Sequence, residues 1–163
     1  MSLKSSDEVV LHLDDLLKID EQNFGPASWK ENAFLADFPN KWKLSMVAFV
    51  ESQVVGYLIG SSYLMDSHLC THVNRISVDK RHAPKGTGTS LMQAFEENTK
   101  LIGATFISLE FADNLNVIDF YRRCGYSSVL DTENITLYLQ SKNKWDKQNS
   151  FLKFSTHLML KRL

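Results

Sequence analysis

The chain has 163 residues, 44% of them apolar and 23% charged, which is typical of one globular domain with one hydrophobic core. A formal net charge of -1 excludes a broad basic face for nucleic acid, and no apolar run approaches the roughly 20 residues that span a bilayer. Neither cysteine, Cys70 or Cys124, has the spacing of a metal or disulfide site. We therefore expect one domain over residues 1–163, in the cytoplasm, with reduced thiols, no metal, and no nucleic-acid or membrane partner.

The first part of the chain predicts two helices and a β-hairpin. Apolar residues at helical spacing indicate a helix over residues 10–24, and Ser28 is a favourable N-cap for a second helix that ends near Pro39. Alternating apolar residues then predict strands over residues 44–50 and 54–64, joined by a short polar turn.

The rest of the chain alternates between strands and helices. We predict a strand over residues 72–78, a helix from Gly86 to Gly103, a strand over residues 105–111 and a helix from Asn114 to Gly125. The tail predicts a strand at 135–139, a polar loop at 141–150 and a last strand at 154–160. This order predicts an α+β or mixed α/β sheet flanked by helices.

A loop with two glycines lies between the strand that ends at Val78 and the following helix. Gly86 and Gly88 would let backbone N–H groups approach an anion closely, and the helix N-terminus adds free donors and a favourable dipole. The loop lacks the Gly-Lys-Ser/Thr of a nucleotide P-loop, and Leu91 stands where a Rossmann fingerprint has its third glycine. A phosphate or pyrophosphate is the expected ligand.

A second motif follows the glycine loop in a fixed order. Its residues are Asn114, the pair Phe120-Tyr121 and the pair Gly125-Tyr126. Together with Gly86-x-Gly88, this pattern resembles that of the GNAT superfamily of N-acetyltransferases over residues 44–126, with looser similarity at the ends. The resemblance implies a GNAT-type, largely antiparallel sheet flanked by helices, with acetyl-CoA as cosubstrate and a primary amine as acceptor.

The resemblance also implies which residues bind CoA. Backbone groups on the strand before the loop would bind the pantetheine arm, the loop would bind the pyrophosphate, and the second motif would contact the CoA arm. These residues are Ile76, Ser77, Val78, Pro84, Lys85, Gly86, Thr87, Gly88, Thr89 and Asn114. The chain departs from the family pattern at Ala83, where Arg or Gln is usual, and Pro84 has no N–H to donate.

Three residues are candidates for proton transfer. The resemblance implies that Glu110, at the end of a strand, is the general base, acting through a water or with a raised pKa. His72 occupies a position that carries the base in some members of the superfamily and is the alternative. Tyr121 matches the general acid, because a phenol stays protonated at pH 7 and can protonate a CoA thiolate.

The acceptor is suggested by a finer resemblance near the N-terminus. Residues 19–24, followed by Pro26 and Ser28-Trp29, are similar to the opening of the ribosomal-protein alanine N-acetyltransferases, as is the Leu109-Glu110-Phe111 strand. This implies a protein α-amino group as acceptor. A small-molecule amine, and a non-catalytic domain that binds acyl-CoA, are the alternatives. We expect a monomer or a homodimer.

Overall fold

A computed structural model describes residues 1–4, 7–65, 67–111, 115–128 and 158–163, without the side chain of Leu115. Its strands are β1 (Ser2–Lys4), β2 (Met46–Val50), β3 (Gln53–Met65), β4 (His68–Val78), β5 (Phe106–Glu110), β6 (Ser127–Ser128) and β7 (Leu158–Arg162). Its helices are α1 (Asp7–Leu11), α2 (Leu13–Phe24), α3 (Glu31–Leu35), α4 (Lys41–Leu44), α5 (Thr87–Leu101) and α6 (Leu115–Arg123), with a 3₁₀ turn at Gly25–Ala27.

The strands form one sheet in the order β1-β2-β3-β4-β5-β7-β6. Only the β4–β5 pair is parallel; the other neighbours are antiparallel. Buried residues of α5, α6 and the sheet form a core on one face, and buried residues of α1, α2 and α3 form a second core on the other. The predicted mixed, largely antiparallel sheet with flanking helices is therefore confirmed.

A β-bulge lies in the middle of β4. Asn74 has no partner on β3, because the residues on either side of it pair with consecutive β3 residues. On its other side, β4 pairs with β5 only as far as Val73 and Leu109. Beyond that pair β4 continues to Val78, whereas β5 ends at Glu110. The two strands therefore part at the bulge and leave one edge of β4 open.

The predicted helix over residues 10–24 is wrong in one respect, because it is two helices that meet at His12. The carbonyl of His12 accepts hydrogen bonds from the N–H groups of Asp15 (3.0 Å) and Leu16 (3.1 Å), which starts α2 anew. The His12 ring packs edge-on against Phe49, with centroids 5.0 Å apart, and this contact holds the break over the sheet. The sequence pattern also missed β1, which pairs with β2.

Further predicted boundaries differ from the structure. Strand β4 begins at His68, four residues before the predicted strand over residues 72–78. Ser28 does not cap α3, because its N–H ends the preceding 3₁₀ turn on the carbonyl of Gly25 (3.0 Å). Leu44 belongs to α4 rather than to a strand, and β2 begins at Met46. Lys41, a buried residue of α4, donates hydrogen bonds from its ammonium to the carbonyls of Phe34 and Ala36 and so holds α4 against the end of α3.

The predicted last strand is confirmed from Leu158 onwards as β7, which lies between β5 and the short strand β6. The predicted strand at 135–139, the polar loop at 141–150 and the start of the last strand lie outside the described residues. Within the described part of the chain, every helix is too short or too polar to cross a bilayer.

Candidate active site

Two buried oxygen atoms face no donor at the point where β4 and β5 part. Within the residues that the structure describes, Asn74 Oδ1 and Glu110 Oε1 have no hydrogen-bond partner. Buried polar atoms in native proteins are nearly always satisfied, so such a pair indicates a place for a donor from water or a ligand. Burial also raises the pKa of the Glu110 carboxyl above its ordinary value, which makes its carboxylate a stronger base.

His72 lies deeper in the same face of the sheet. Its side chain is almost completely buried, and its Nδ1 lies 2.8 Å from Ser108 Oγ. That hydroxyl also accepts a hydrogen bond from the hydroxyl of Tyr63 (3.0 Å). Burial lowers the pKa of His72 to about 4, so the imidazole is neutral at pH 7. Because side chains alternate along a strand, Ser108 and Glu110 project from the same face of β5, and His72 shares that face.

Tyr121 lies on α6, against the opposite face of the sheet. It is 5% exposed and belongs to the same core cluster as Val73 and Leu109, the last pair before the strands part. The rings of Phe120 and Tyr126 lie 5.1 Å and 6.2 Å from its ring, centroid to centroid. Burial raises the pKa of the Tyr121 phenol, so its proton is retained at neutral pH.

The loop between β4 and α5 is organised around Asp79, which sequence reasoning missed. The carboxylate of Asp79 accepts a hydrogen bond from the Arg81 N–H (2.8 Å) and lies 2.9 Å from His82 Nδ1. Its carbonyl accepts the N–H of Ala83 (2.9 Å). The side-chain hydrogen bond from His82 lowers the pKa of Asp79, and the carboxylate is therefore charged at neutral pH. This carboxylate stabilises the loop at the position where the motif usually has Arg or Gln and this chain has Ala83.

Some backbone N–H groups at the start of α5 are bonded within the loop, and others have no acceptor among the described residues. The carbonyl of Pro84 accepts both the N–H (3.2 Å) and the hydroxyl (2.8 Å) of Thr87, which is buried, so these groups are used within the loop. The first bond of the helix runs from the Ser90 N–H to the Gly86 carbonyl (2.9 Å). The N–H groups of Gly88 and Thr89 therefore have no acceptor in the described part of the chain, and they suit an anion.

The two glycines of the loop serve different purposes. Gly86 has φ 95° and, as the residue before α5, adopts a left-handed conformation that disfavours a side chain. A Cβ on Gly88 would lie 3.3 Å from Phe120 Cζ, so this glycine allows α5 to approach α6 closely. The second glycine of the motif thus has a packing role besides any role in ligand binding.

The open edge of β4 presents backbone groups to an extended ligand. The N–H of Asp79 donates to the Val55 carbonyl on β3 (2.9 Å), and because successive backbone groups alternate in direction, those of Ile76 and Val78 point away from β3. Asn23 Nδ2, on α2, donates to the Val78 carbonyl (2.9 Å) and to Ser77 Oγ (2.8 Å). The amide groups of Ile76 and the N–H of Val78 point towards the same cleft as Glu110.

A comparison of the sequence with protein-family models identifies the family to which this site belongs. The model described as acetyltransferase (GNAT) family covers residues 12–126, which is more than half of the chain. The chain belongs to the GNAT acetyltransferase family. The predicted activity, acetyl-CoA-dependent N-acetyl transfer, and the predicted cosubstrate are confirmed by this membership.

Solved structures similar to this acetyltransferase share its fold at low sequence identity. Naa50 of Arabidopsis thaliana, in complex with the bisubstrate analogue CoA-Ac-MVNAL, is 17% identical with a TM-score of 0.67, covering 99% of this chain and 98% of that one. The ribosomal-protein-S18-alanine N-acetyltransferase of Escherichia coli is 15% identical (TM-score 0.69; 99% and 92% covered). Ard1 of Thermoplasma volcanium is 20% identical (TM-score 0.68; 99% and 97% covered). No curated protein sequence matches the chain.

The structure also contains a buried ion pair that the sequence analysis of this acetyltransferase did not find. Arg75, the residue after the bulge, makes two hydrogen bonds to the fully buried Asp20 of α2, Nε to Oδ1 (2.7 Å) and Nη2 to Oδ2 (2.8 Å). The hydroxyl of Tyr57 on β3 also donates to Asp20. No local pattern in the sequence indicates this pair, because its two residues lie 55 positions apart. Asn114, predicted to contact CoA, lies outside the described residues.

Proposed function

We propose that this acetyltransferase transfers the acetyl group to the α-amino group of a protein, with Glu110 as general base and Tyr121 as general acid. The observation that carries the proposal is the buried, unpartnered Glu110 Oε1, with a raised pKa, at the opening between β4 and β5. Asn74 Oδ1 is the second unpartnered acceptor there. An ammonium has three donors and no lone pair, so two such oxygens suit an incoming amine that must lose a proton.

Glu110 removes the proton that makes the amine non-nucleophilic. The amine nitrogen then forms a C–N bond with the thioester carbon as the C–S bond breaks, and the nitrogen releases its second proton to solvent to leave a neutral amide. A carboxylate of ordinary pKa is a weak base for an amine. Burial raises the pKa of Glu110 and so reduces the difference between its pKa and that of the amine. We favour Glu110 over His72, because a pKa of about 4 makes His72 the weaker base and its Nδ1 already contacts Ser108.

Tyr121 supplies the proton that the departing sulfur needs. Acetyl-CoA contributes the acetyl thioester, and the thiol that leaves has an ordinary pKa near 8.5. A phenol is protonated at pH 7 and can donate its proton to the sulfur, and burial, which raises the pKa of Tyr121, keeps it in this form. The residue shares its core cluster with Val73 and Leu109, which brings α6 to the point where the strands part.

The residues proposed to bind CoA form two groups. Ile76 and Val78 on the open edge of β4 suit the amide groups of the pantetheine arm, and a backbone N–H there could also stabilise the thioester oxygen as it gains charge. The N–H groups of Gly88 and Thr89 at the start of α5 suit the pyrophosphate, with Lys85 nearby in sequence as a cation. We propose that Pro84 and Thr87 shape this loop through their mutual hydrogen bonds, rather than contacting phosphate directly.

The names of similar structures support a protein N-terminus as acceptor. One holds the bisubstrate analogue CoA-Ac-MVNAL, and another is named as an alanine N-acetyltransferase of a ribosomal protein. We also propose a cytoplasmic location, where Cys70 and Cys124, both free thiols in the structure, would stay reduced.

An acceptor panel tests the proposal. Acetyl-CoA would be supplied with peptides that begin Met-Val-Asn-Ala-Leu or Ala, the same peptides with a blocked N-terminus and an internal lysine, and a polyamine. We expect release of CoA with the free N-termini only. Turnover with the blocked peptides would identify a lysine acceptor, and turnover with the polyamine alone would identify a small-molecule enzyme. Binding of acetyl-CoA without turnover of any amine would identify a non-catalytic domain.

A further inference from the structure

The face of the sheet that carries Glu110 is covered by a loop over residues 24–29, between α2 and α3, which we term the 24–29 loop. Tyr57 and Tyr63 project from one face of β3, since side chains alternate along a strand. Tyr63 donates to Ser108, which shares its face of β5 with Glu110, and Tyr57 donates to Asp20 of α2. Helix α2 and the 24–29 loop therefore stand on the same side of the sheet as Glu110.

The opposite face is closed near the cleft. There the buried side chains of Val73, Leu109 and Tyr121 pack in the core formed with α5 and α6. The face of α2 is therefore the side on which we place the acceptor, and there Arg75, next to the bulge, contacts the 24–29 loop.

Arg75 contacts the 24–29 loop at two residues and reaches a third through Asp20. Its guanidinium carbon lies 3.4 Å from the centroid of the Phe24 ring, and its Nη2 donates to the Ala27 carbonyl (2.8 Å). Asp20, which it binds with both oxygens, also accepts the N–H of Trp29. The first, middle and last residues of the loop are thus held by the Arg75–Asp20 ion pair.

We infer that Arg75 is a positioning residue for the acceptor: it fixes the 24–29 loop as the wall against which the acceptor binds. This inference rests on the proposed function. Arg75 follows Asn74 directly and precedes Ile76. The same stretch of β4 therefore positions the 24–29 loop and presents the backbone groups proposed to bind CoA. Its charge is neutralised by Asp20 and its side chain is 14% exposed, so it acts through the loop and not as a binding charge for substrate.

The test separates acceptor binding from chemistry and from cosubstrate binding. Arg75→Met should raise the KM for the best peptide of the panel about tenfold, with kcat and the Kd for acetyl-CoA changed by less than about twofold. Arg75→Lys keeps a charge for Asp20 but loses the forked geometry, so it should fold and give an intermediate KM. It keeps the inference testable should Arg75→Met fail to fold.

A matched control is available in a second ion pair of the sheet. Lys161 on β7 lies 2.8 Å from Glu96 of α5, on the other face, and contacts no part of the 24–29 loop. Lys161→Met should lower stability without changing the peptide KM. An unchanged peptide KM in folded Arg75 variants, an equal rise in Lys161→Met, or an equal loss of acetyl-CoA affinity would overturn the inference. A wild-type chain that acetylates no amine would instead remove the proposed function, and the inference with it.

Discussion

The imidazole Nδ1 of His72 lies 2.8 Å from the hydroxyl of Ser108, across one of the last pairs that join β4 to β5. This contact ties the two strands together immediately before they part. It gives His72 a structural task on the face that also carries Glu110, so the two candidate bases can be separated by experiment.

Replacement of Glu110 should damage catalysis more than replacement of His72. We expect Glu110→Gln to lower kcat/KM by about 10²–10⁴, the range for loss of a general base, and His72→Gln to lower it by less than about tenfold. The wild-type rate should rise with pH through a midpoint above the ordinary Glu value near 4.3, because burial raises this pKa. This rise of the rate with pH should be absent in Glu110→Gln. The reverse order of the two variants would move the base to His72.

The buried His72 should make stability depend on pH. Its pKa is about 4 in the folded chain and near 6.5 when unfolded, so between these values only the unfolded chain binds the proton. The free energy of unfolding should therefore fall as pH is lowered through this window, by about 3 kcal/mol in total for a group this well buried.

Urea unfolding of wild type and His72→Gln at pH 7.5 and pH 4.5 measures that change. The difference between the two pH values should shrink in His72→Gln. His68→Gln is the control, because His68 is exposed at the start of the same strand and its replacement should leave the wild-type difference intact. Equal pH dependence in all three proteins would show that His72 is not buried as a neutral ring.

Loss of the Tyr121 hydroxyl should slow turnover without loosening the fold. Tyr121→Phe keeps the ring between Phe120 and Tyr126, so we expect stability within about 1 kcal/mol of wild type and an unchanged Kd for acetyl-CoA. The kcat should fall by about 10²-fold or more if the phenol is the proton donor. Tyr126→Phe is the matched control, since Tyr126 is also buried in this core, and its kcat should not change. An unchanged kcat in Tyr121→Phe would show that Tyr121 has only a packing role.

A charge in the glycine loop should abolish cosubstrate binding. A side chain at Gly86 would meet no atom within 4 Å, so Gly86→Glu should fold with a penalty of about 1–2 kcal/mol for its left-handed backbone. The carboxylate would then repel the phosphates at the start of α5. Titration calorimetry with acetyl-CoA should detect no binding.

Gly103 provides the control for backbone strain. It has φ 79° and equally open surroundings, but it follows the other end of α5. Gly103→Glu should lose similar stability and bind acetyl-CoA like the wild type. Normal binding by a folded Gly86→Glu variant would remove the loop from the proposed CoA site.

The features that sequence predicts here are those carried by local pattern. Helix α5 begins after Gly86 as predicted, because a left-handed glycine and free N–H groups are properties of a short stretch. The predicted strand over residues 105–111 agrees with β5 to within one residue at each end, so the position of Glu110 near the end of a strand was predictable. The places proposed for Tyr121 and the CoA-binding residues rest on a motif and stay predictions.

Other features depend on residues far apart in the chain. The Asp20–Arg75 pair joins positions 55 residues apart, and nothing near either residue announces the other. The bulge at Asn74 is defined by the pairing of β4 with β3, so the sequence of β4 alone does not reveal it. The sequence around Lys41 suggests a surface lysine, yet the residue is buried and its ammonium donates to two carbonyls at the end of α3.

The bulge at Asn74 also bears on how such a site can diverge. An opening produced by one additional residue in a ladder depends on the number of backbone units, not on which side chains they carry. Point substitutions along β4 and β5 can then accumulate while the gap persists, whereas deletion of a single codon at this position would restore the register and draw the strands together. The proposed cleft should therefore tolerate substitution along the two strands better than insertion or deletion of a residue at the bulge.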